Sequence, residues 1–296
     1  DAGAVIVGKT ATPEFGFPCY TEPDGLPPAR TPWDASRSAG GSSGGAAAAV
    51  ASGMVPIAQG SDGGGSIRIP ASACGLVGLK PSRGRISPGP WGIDGPGLAT
   101  PGVLTMTVRD TAAALDVLAQ PRDGDFLYAP PSPRGYLASC DLPTEPLRIG
   151  VLTAPAIIDD VDVHEACLRA VERAADLLRG LGHEVASAPA PFPPSRWDAF
   201  RSVWAVLAGT LPLPPGADAG LTPLTRWLRH QSDAVSGVQY AQALAGVQQL
   251  TRARLFAAAA AGGLKGCGGG GKAGHGLLTR RLVIVTIALA SCQRAA

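Results

Sequence analysis

The sequence has no basic run and no acidic block, and it carries little charge of either sign. Charged residues make up 16% of 296, and the formal net charge is +2. A nucleic-acid groove or an acidic tail needs clustered charge of one sign, so neither is expected. No C-x-x-C pair occurs. The six cysteines, Cys19, Cys74, Cys140, Cys167, Cys267 and Cys292, are scattered and have no histidine at ligand spacing. That pattern argues against a zinc site or a disulfide framework and for reduced thiols. The longest late apolar run, Leu282 to Ala290, falls far short of the roughly 20 residues that a membrane helix needs. The N-terminus lacks the basic region and apolar stretch of a signal peptide. Gly8-Lys9-Thr10 lacks the upstream glycine of a phosphate loop, and no G-x-G-x-x-G follows the first strand. A cytoplasmic protein is expected, with no metal, no cofactor, no nucleic acid and no membrane.

Hydrophobic residues, at 45%, are plentiful enough for one large α/β domain or two small ones. Gly at 40 and Pro at 28 are high, and Arg and Ala stand where Lys and Ile could, as in a GC-rich coding sequence. Ala4 to Val7 reads as a short buried strand, so close to the start that the chain looks entered midway. Thr12 to Arg37 reads as a long ordered loop. Gly40 to Gly45 leads into an alanine-rich helix ending near Gly53, then a strand over Val55 to Ala58 and a second glycine loop, Gly60 to Ser66. Leu147 to Leu152 reads as a strand. Asp162 and Glu165 then resemble a capping box, and apolar residues from Val163 to Leu181 keep helical spacing on one face. Gly182 ends that helix and Glu184 to Ala186 begins another strand, so the order is strand, helix, strand, as in α/β proteins. Trp197 to Leu207 and Gln239 to Phe256 read as further helices. From 257 to 296 the character changes. Polyalanine, Ala257 to Ala261, and polyglycine, Gly268 to Gly271, specify no packed core. A shifted reading frame in a GC-rich gene would write such a tail, and it is expected to pack poorly.

The two glycine-serine loops carry the chemistry. Cleaving an unactivated amide requires a nucleophile, a base that takes its proton and returns it to the leaving nitrogen, and donors for the tetrahedral oxyanion. Glycines ahead of a serine supply the donors, because their N–H groups approach a substrate unobstructed by side chains. Gly60-Ser61-Asp62-Gly63-Gly64-Gly65-Ser66-Ile67-Arg68-Ile69-Pro70 follows a strand, and Gly40-Gly41-Ser42-Ser43-Gly44-Gly45 lies upstream. Either loop alone is better explained by a structural turn or a linker. A rival motif, G-x-S-x-G at Gly41 to Gly45, would make Ser43 the nucleophile of a hydrolase elbow. An elbow must follow a strand, whereas Asp34 to Gly40 reads as polar and turn-like. His164, His183, His230 and His275 sit in no triad context, and His164 and His183, flanking one helix, read as solvated.

Taken together, the loops resemble those of the amidase signature family, with its G-G-S-S-G-G and G-S-D-x-G-G-S-I-R-x-P motifs. Ser42 precedes Ser66 by 24 positions, the family's spacing. The likeness continues through Cys74-Gly75-Leu76-Val77-Gly78-Leu79-Lys80-Pro81, Gly8-Lys9-Thr10, Pro13-Glu14-Phe15 and Thr31-Pro32-Trp33-Asp34, and covers roughly residues 1 to 256 as one incomplete domain. It implies an α/β fold with a twisted mixed central sheet flanked by helices, in truncated form. It also implies a Ser-cisSer-Lys unit in which Ser66 is the nucleophile and Ser42, after a cis peptide, relays the proton to a neutral lysine. N–H groups around Gly63, Gly64, Gly65 and Ser66 would form the oxyanion hole, Ser42 and Ser66 would lie within hydrogen-bond reach, and Ser43, Asp62 and Arg68 would brace the loops. The substrate would be a small-molecule amide and the candidate assembly a homodimer. The family's lysine lies in a G-[VI]-K-D context several dozen residues before the first loop. Here only Lys9 precedes it, and Lys9, Lys80, Lys265 and Lys272 match other positions. An inactive fragment is therefore the alternative, with little or no turnover expected. The amidase subunit of a tRNA-dependent amidotransferase ranks below it.

Overall fold

The computed structural model describes residues 2–90, 92–93, 95–155, 161–190, 192–261 and 282–283. They form two compact units, one from Asp1–Pro143 with Pro212–Trp227, the other from Thr144–Leu211 with the described residues after Trp227.

The first unit is antiparallel. A hairpin of β1 (Arg30–Thr31) and β2 (Asp34–Ser38) precedes α1 (Gly44–Ala51). Next come β3 (Ile57–Asp62), α2 (Arg68–Cys74), β4 (Val77–Gly78), β5 (Thr100–Thr105) and α3 (Val108–Leu118). The sheet order is β3-β5-β4, with Gly60 opposite Gly102 and Asp62 opposite Thr100. The run Ala46 to Ala49 needs little ordering entropy to become helical, and α1 packs its small side chains tightly. Ala39, Ala46, Ala47, Val50, Ala58, Ile67, Ala71, Cys74 and Leu104 make one buried cluster, so both glycine loops leave from a single core. Burial of Ile67 and Leu104, both at 0% exposure, is worth about 1.5–3 kcal/mol each. Pro70 fits the first turn of α2, where no intrahelical donor is needed, and Gly75 ends that helix at φ 70°. Thr107 caps α3 by accepting from Asp110 N at 3.1 Å.

The second unit is parallel. β6 (Arg148–Val151) lies between β7 (Glu184–Ser187) and β8 (Leu282–Val283), and α4 (Glu165–Gly180) connects β6 to β7. α5 (Trp197–Gly209), α6 (Pro223–Asp233) and α7 (Gly237–Ala261) follow, with α6 beginning in the first unit. Both the antiparallel and the parallel part of a mixed α/β protein are thus present, distributed over three sheets of two, three and three strands among the described residues.

Several local expectations are corrected. Ala4 to Val7 is not a buried strand: it pairs with nothing described, and Val5, Ile6 and Val7 are 83%, 92% and 76% exposed. An apolar run makes a strand only where another strand takes its backbone groups. The Thr12 to Arg37 loop contains β1, and the polar Asp34 to Gly40 stretch, read as turn-like, is largely β2. β3 extends past Ala58 into the second glycine loop because Gly60 to Asp62 keep the ladder with β5. The Asp162–Glu165 capping box is not formed: His164 Nδ1 accepts from Ala166 N at 3.2 Å and starts α4 two residues later. His183 is half-buried, accepting from Leu147 N at 3.3 Å. The polyalanine of the tail continues α7 to Ala261, and Gly268 to Gly271 lies outside the described residues.

Candidate active site

The second glycine loop turns on one buried carboxylate. Asp62, the last residue of β3, is 0% exposed. It accepts from Gly65 N at 2.8 Å, from Ile67 N and Arg68 N at 3.3 Å each, and from Arg68 Nε and Nη2 at 2.9 and 2.8 Å. Burial pushes its pKa up, but the Arg68 hydrogen bonds and charge, with the backbone donors, outweigh this and hold the carboxyl below the ordinary carboxylate value. Asp62 in turn raises the Arg68 guanidinium. The ion pair therefore spans the turn between β3 and α2.

That turn uses its amides unequally. Gly65, Ile67 and Arg68 donate to Asp62, while Gly63, Gly64 and Ser66 donate to no protein atom among the described residues. Gly65, placed with the oxyanion donors by the resemblance, thus has its amide committed inward. Its φ is 130°, and a Cβ there would lie 2.7 Å from Ile69 Cδ1, so only glycine fits. Ser66 sits in the turn just ahead of α2, at 9% exposure.

The first loop lies against the second. Its Gly41–Ser42 peptide is cis. Ser43 N donates to Ser66 O at 3.1 Å, joining the two loops through the backbone. Ser43 Oγ fits between Ser61 O at 3.5 Å and Ser61 N at 3.4 Å on β3. Thr21 fixes the loop from behind. Its hydroxyl proton is shared between Gly40 O at 2.9 Å and Ser42 O at 3.2 Å, and its oxygen accepts from Gly44 N at 3.1 Å. Ser42 and Ser43 are 6% and 5% exposed, and Thr21 is fully buried. No hydrogen bond joins Ser42 Oγ to Ser66 Oγ; the loops meet through Ser43, by its amide to Ser66 O and by its hydroxyl to Ser61. Thr21 escaped the sequence reading, since a lone threonine in a Pro- and Gly-rich stretch carries no pattern.

A strand does precede Gly41-Ser42-Ser43-Gly44-Gly45, yet the elbow reading gains nothing. Ser43 Oγ is engaged with Ser61, and none of the four histidines belongs to the described residues of this unit. Of the lysines, Lys9 is exposed. Lys80 Nζ donates to Pro81 O at 2.5 Å. Burial lowers the Lys80 pKa, with Asp62 opposing and Arg68 and Arg83 assisting. Neither amine hydrogen-bonds Ser42 or Ser66. Lys265 and Lys272 lie outside the described residues. Among the described residues no group of three or more His, Cys, Asp or Glu could hold a metal ion, and Cys19, Cys74, Cys140 and Cys167 form no disulfide with one another.

Comparison with known proteins places these loops in context. The profile of the family described as Amidase matches residues 1–243. Over 187 residues the chain is 47% identical to 6-aminohexanoate-cyclic-dimer hydrolase of Paenarthrobacter ureafaciens, covering 62% of this chain and 38% of that one. A solved structure of 6-aminohexanoate cyclic dimer hydrolase complexed with substrate superposes with a TM-score of 0.75 at 36% identity, over 83% of this chain and 53% of that one. A bacterial aryl acylamidase of the amidase signature enzymes superposes with a TM-score of 0.69 at 26% identity, over 83% and 53% respectively. The chain spans about half the length of the solved relatives and less of the curated one.

Proposed function

The chain belongs to the amidase family, and on that premise we propose that it hydrolyses the C–N bond of a small-molecule carboxylic amide through an acyl-enzyme on Ser66. The observation that carries this reading is the unequal use of amides around Ser66. Asp62 draws three N–H groups inward, and those of Gly63, Gly64 and Ser66 are left to an incoming oxyanion. Ser66 Oγ attacks the carbonyl carbon. Its proton would leave by way of Ser42 Oγ, once the two hydroxyls close to hydrogen-bond distance, for the neutral lysine that the resemblance implies and that Lys9 and Lys80 do not stand in for; that lysine would return it to the leaving nitrogen, and water would then release the acid. Ser42 relays that proton but is too weak a base to keep it at neutral pH. Asp62 and Arg68 set the turn and take no part in bond making. The 6-aminohexanoate cyclic dimer, named for one solved relative, is one substrate to try.

A second reading, a chain that forms the site without turning over, is favoured by the lysines. Lys9 is exposed, and the Lys80 amine donates to Pro81 O and hydrogen-bonds neither Ser42 nor Ser66. General acid–base help is typically worth about 10²–10⁴ in rate, and a serine hydroxyl without it is a weak nucleophile. The test is to confirm folding by cooperative melting and then assay small aromatic and aliphatic amides beside a Ser66→Ala control. Turnover abolished by Ser66→Ala supports hydrolysis. A folded chain with turnover equal to the control supports the second reading. A cytoplasmic location is part of the proposal. No helix among the described residues is long and apolar enough to cross a membrane. Assembly as a homodimer is checked by sedimentation.

A further inference from the structure

Glu14, Phe15 and Gly16 form a single tight turn. Phe15, at φ 48° and ψ 11°, is the one non-glycine residue in the left-handed region among the described residues, and Gly16 follows at φ 73°. A bulky side chain disfavours that conformation, so something must hold the turn. The holder is in sequence very distant. Thr222 N donates to both Glu14 oxygens, at 3.2 and 3.1 Å, and Thr222 Oγ1 donates to Oε2 at 2.6 Å. Thr222 Oγ1 lies 3.1 Å from the fully buried Thr225 Oγ1. The carboxylate thus sits at the N-terminus of α6, where the free N–H groups and the helix dipole favour a negative charge. Burial raises the Glu14 pKa, but the hydrogen bonds from Thr222 and Thr225, with the charge of Arg226, bring it below its ordinary value.

The other side of the turn faces the site. A Cβ at Gly16 would lie 3.3 Å from Ser42 Oγ and 3.8 Å from Ser42 Cβ, so the side-chain-free face of Gly16 is turned toward the Ser42 hydroxyl. We infer that Glu14 is a positioning residue for Ser42, its carboxylate clamped by Thr222 at the start of α6 so that the Phe15–Gly16 turn holds the relay hydroxyl in place. The inference rests on the reading of Ser42 and Ser66 as a catalytic pair. Nothing in the chemistry asks Glu14 to take a proton, since its oxygens are already occupied by donors.

The test uses the whole chain and two readouts. The first is the rate at which a fluorophosphonate labels Ser66. Glu14→Ala and Thr222→Val should slow it on the order of 10- to 100-fold, because a small misplacement of a reacting group costs that much. Thr222→Ser keeps both donors and should stay within about 2-fold of the parent. The second readout does not depend on catalysis. In a Ser42→Cys protein, iodoacetamide alkylation of position 42 is followed by peptide mass, and adding Glu14→Ala should speed it several-fold as the turn is released. If Glu14→Ala fails to melt cooperatively, Thr222→Val against Thr222→Ser carries the comparison. Labelling and alkylation both unchanged would overturn the inference, as would Thr222→Ser behaving like Thr222→Val. If the parent is not labelled at all, the proposed function fails, and the alkylation rates alone still decide whether Glu14 positions residue 42.

Discussion

The glycine-serine loops of the first unit and helix α4 of the second are held by opposite means. The loops have almost no apolar side chains of their own, and their shape is set by three buried polar side chains. Thr21, Ser43 and Asp62 between them satisfy the backbone groups of Gly40, Ser42, Gly44, Ser61, Gly65, Ile67 and Arg68. Helix α4 relies on an apolar stripe, of which only Val171 and Ala175 are buried, while Leu177 and Leu181 are each 65% exposed. A stripe tolerates exchange of one apolar residue for another, because burial is not directional. A polar brace does not, because each bond has a fixed partner and a lost partner leaves a desolvated group behind.

The largest expected effect is therefore at Asp62. Asp62→Ala leaves the Arg68 guanidinium and three amides without their acceptor, and should cost about 3–5 kcal/mol in a urea melt. The same carboxylate makes stability depend on pH. Its folded pKa is depressed, so its contribution is fully present above the unfolded value near 4 and is lost as pH falls through the lower folded value. Stability should be level from about pH 7 to 5 and decline below about pH 4, and Asp62→Ala should flatten that decline. Thr21→Val, nearly equal in volume, strands Gly40 O, Ser42 O and Gly44 N, and should cost about 2 kcal/mol. It should also slow any reaction at Ser66.

The contrast sharpens in α4. Val171→Ala removes two buried methyl groups and should cost about 1.5 kcal/mol. Leu177→Ser, at an exposed position, should stay within about 0.5 kcal/mol of the parent. If Leu177→Ser proves as costly as Asp62→Ala in the same urea series, the stripe is buried more deeply than its exposure implies, and the two regions are not built differently.

The difference also explains what could be read from the sequence. Helical spacing from Val163 to Leu181 and the strands on either side were legible, because a stripe is a pattern along the chain. The glycine loops were legible as motifs, and the Asp62–Arg68 brace with them. Thr21 and the Glu14–Thr222 clamp were not, since their partners lie 19 to 208 positions away and no periodicity marks them. Ala4 to Val7 was misread for a related reason: its composition suits a strand, but whether a strand forms depends on a neighbour that no local pattern reports.

The claim on which the rest depends is that the Asp62-braced turn presents Ser66, and neither serine of the first loop, as the nucleophile. Fluorophosphonate treatment of the folded chain followed by peptide mass mapping tests it most directly. The account predicts an adduct on Ser66 that disappears in Ser66→Ala, with none on Ser42 or Ser43. An adduct on Ser43, or a folded chain that takes up no label at any serine, would contradict it.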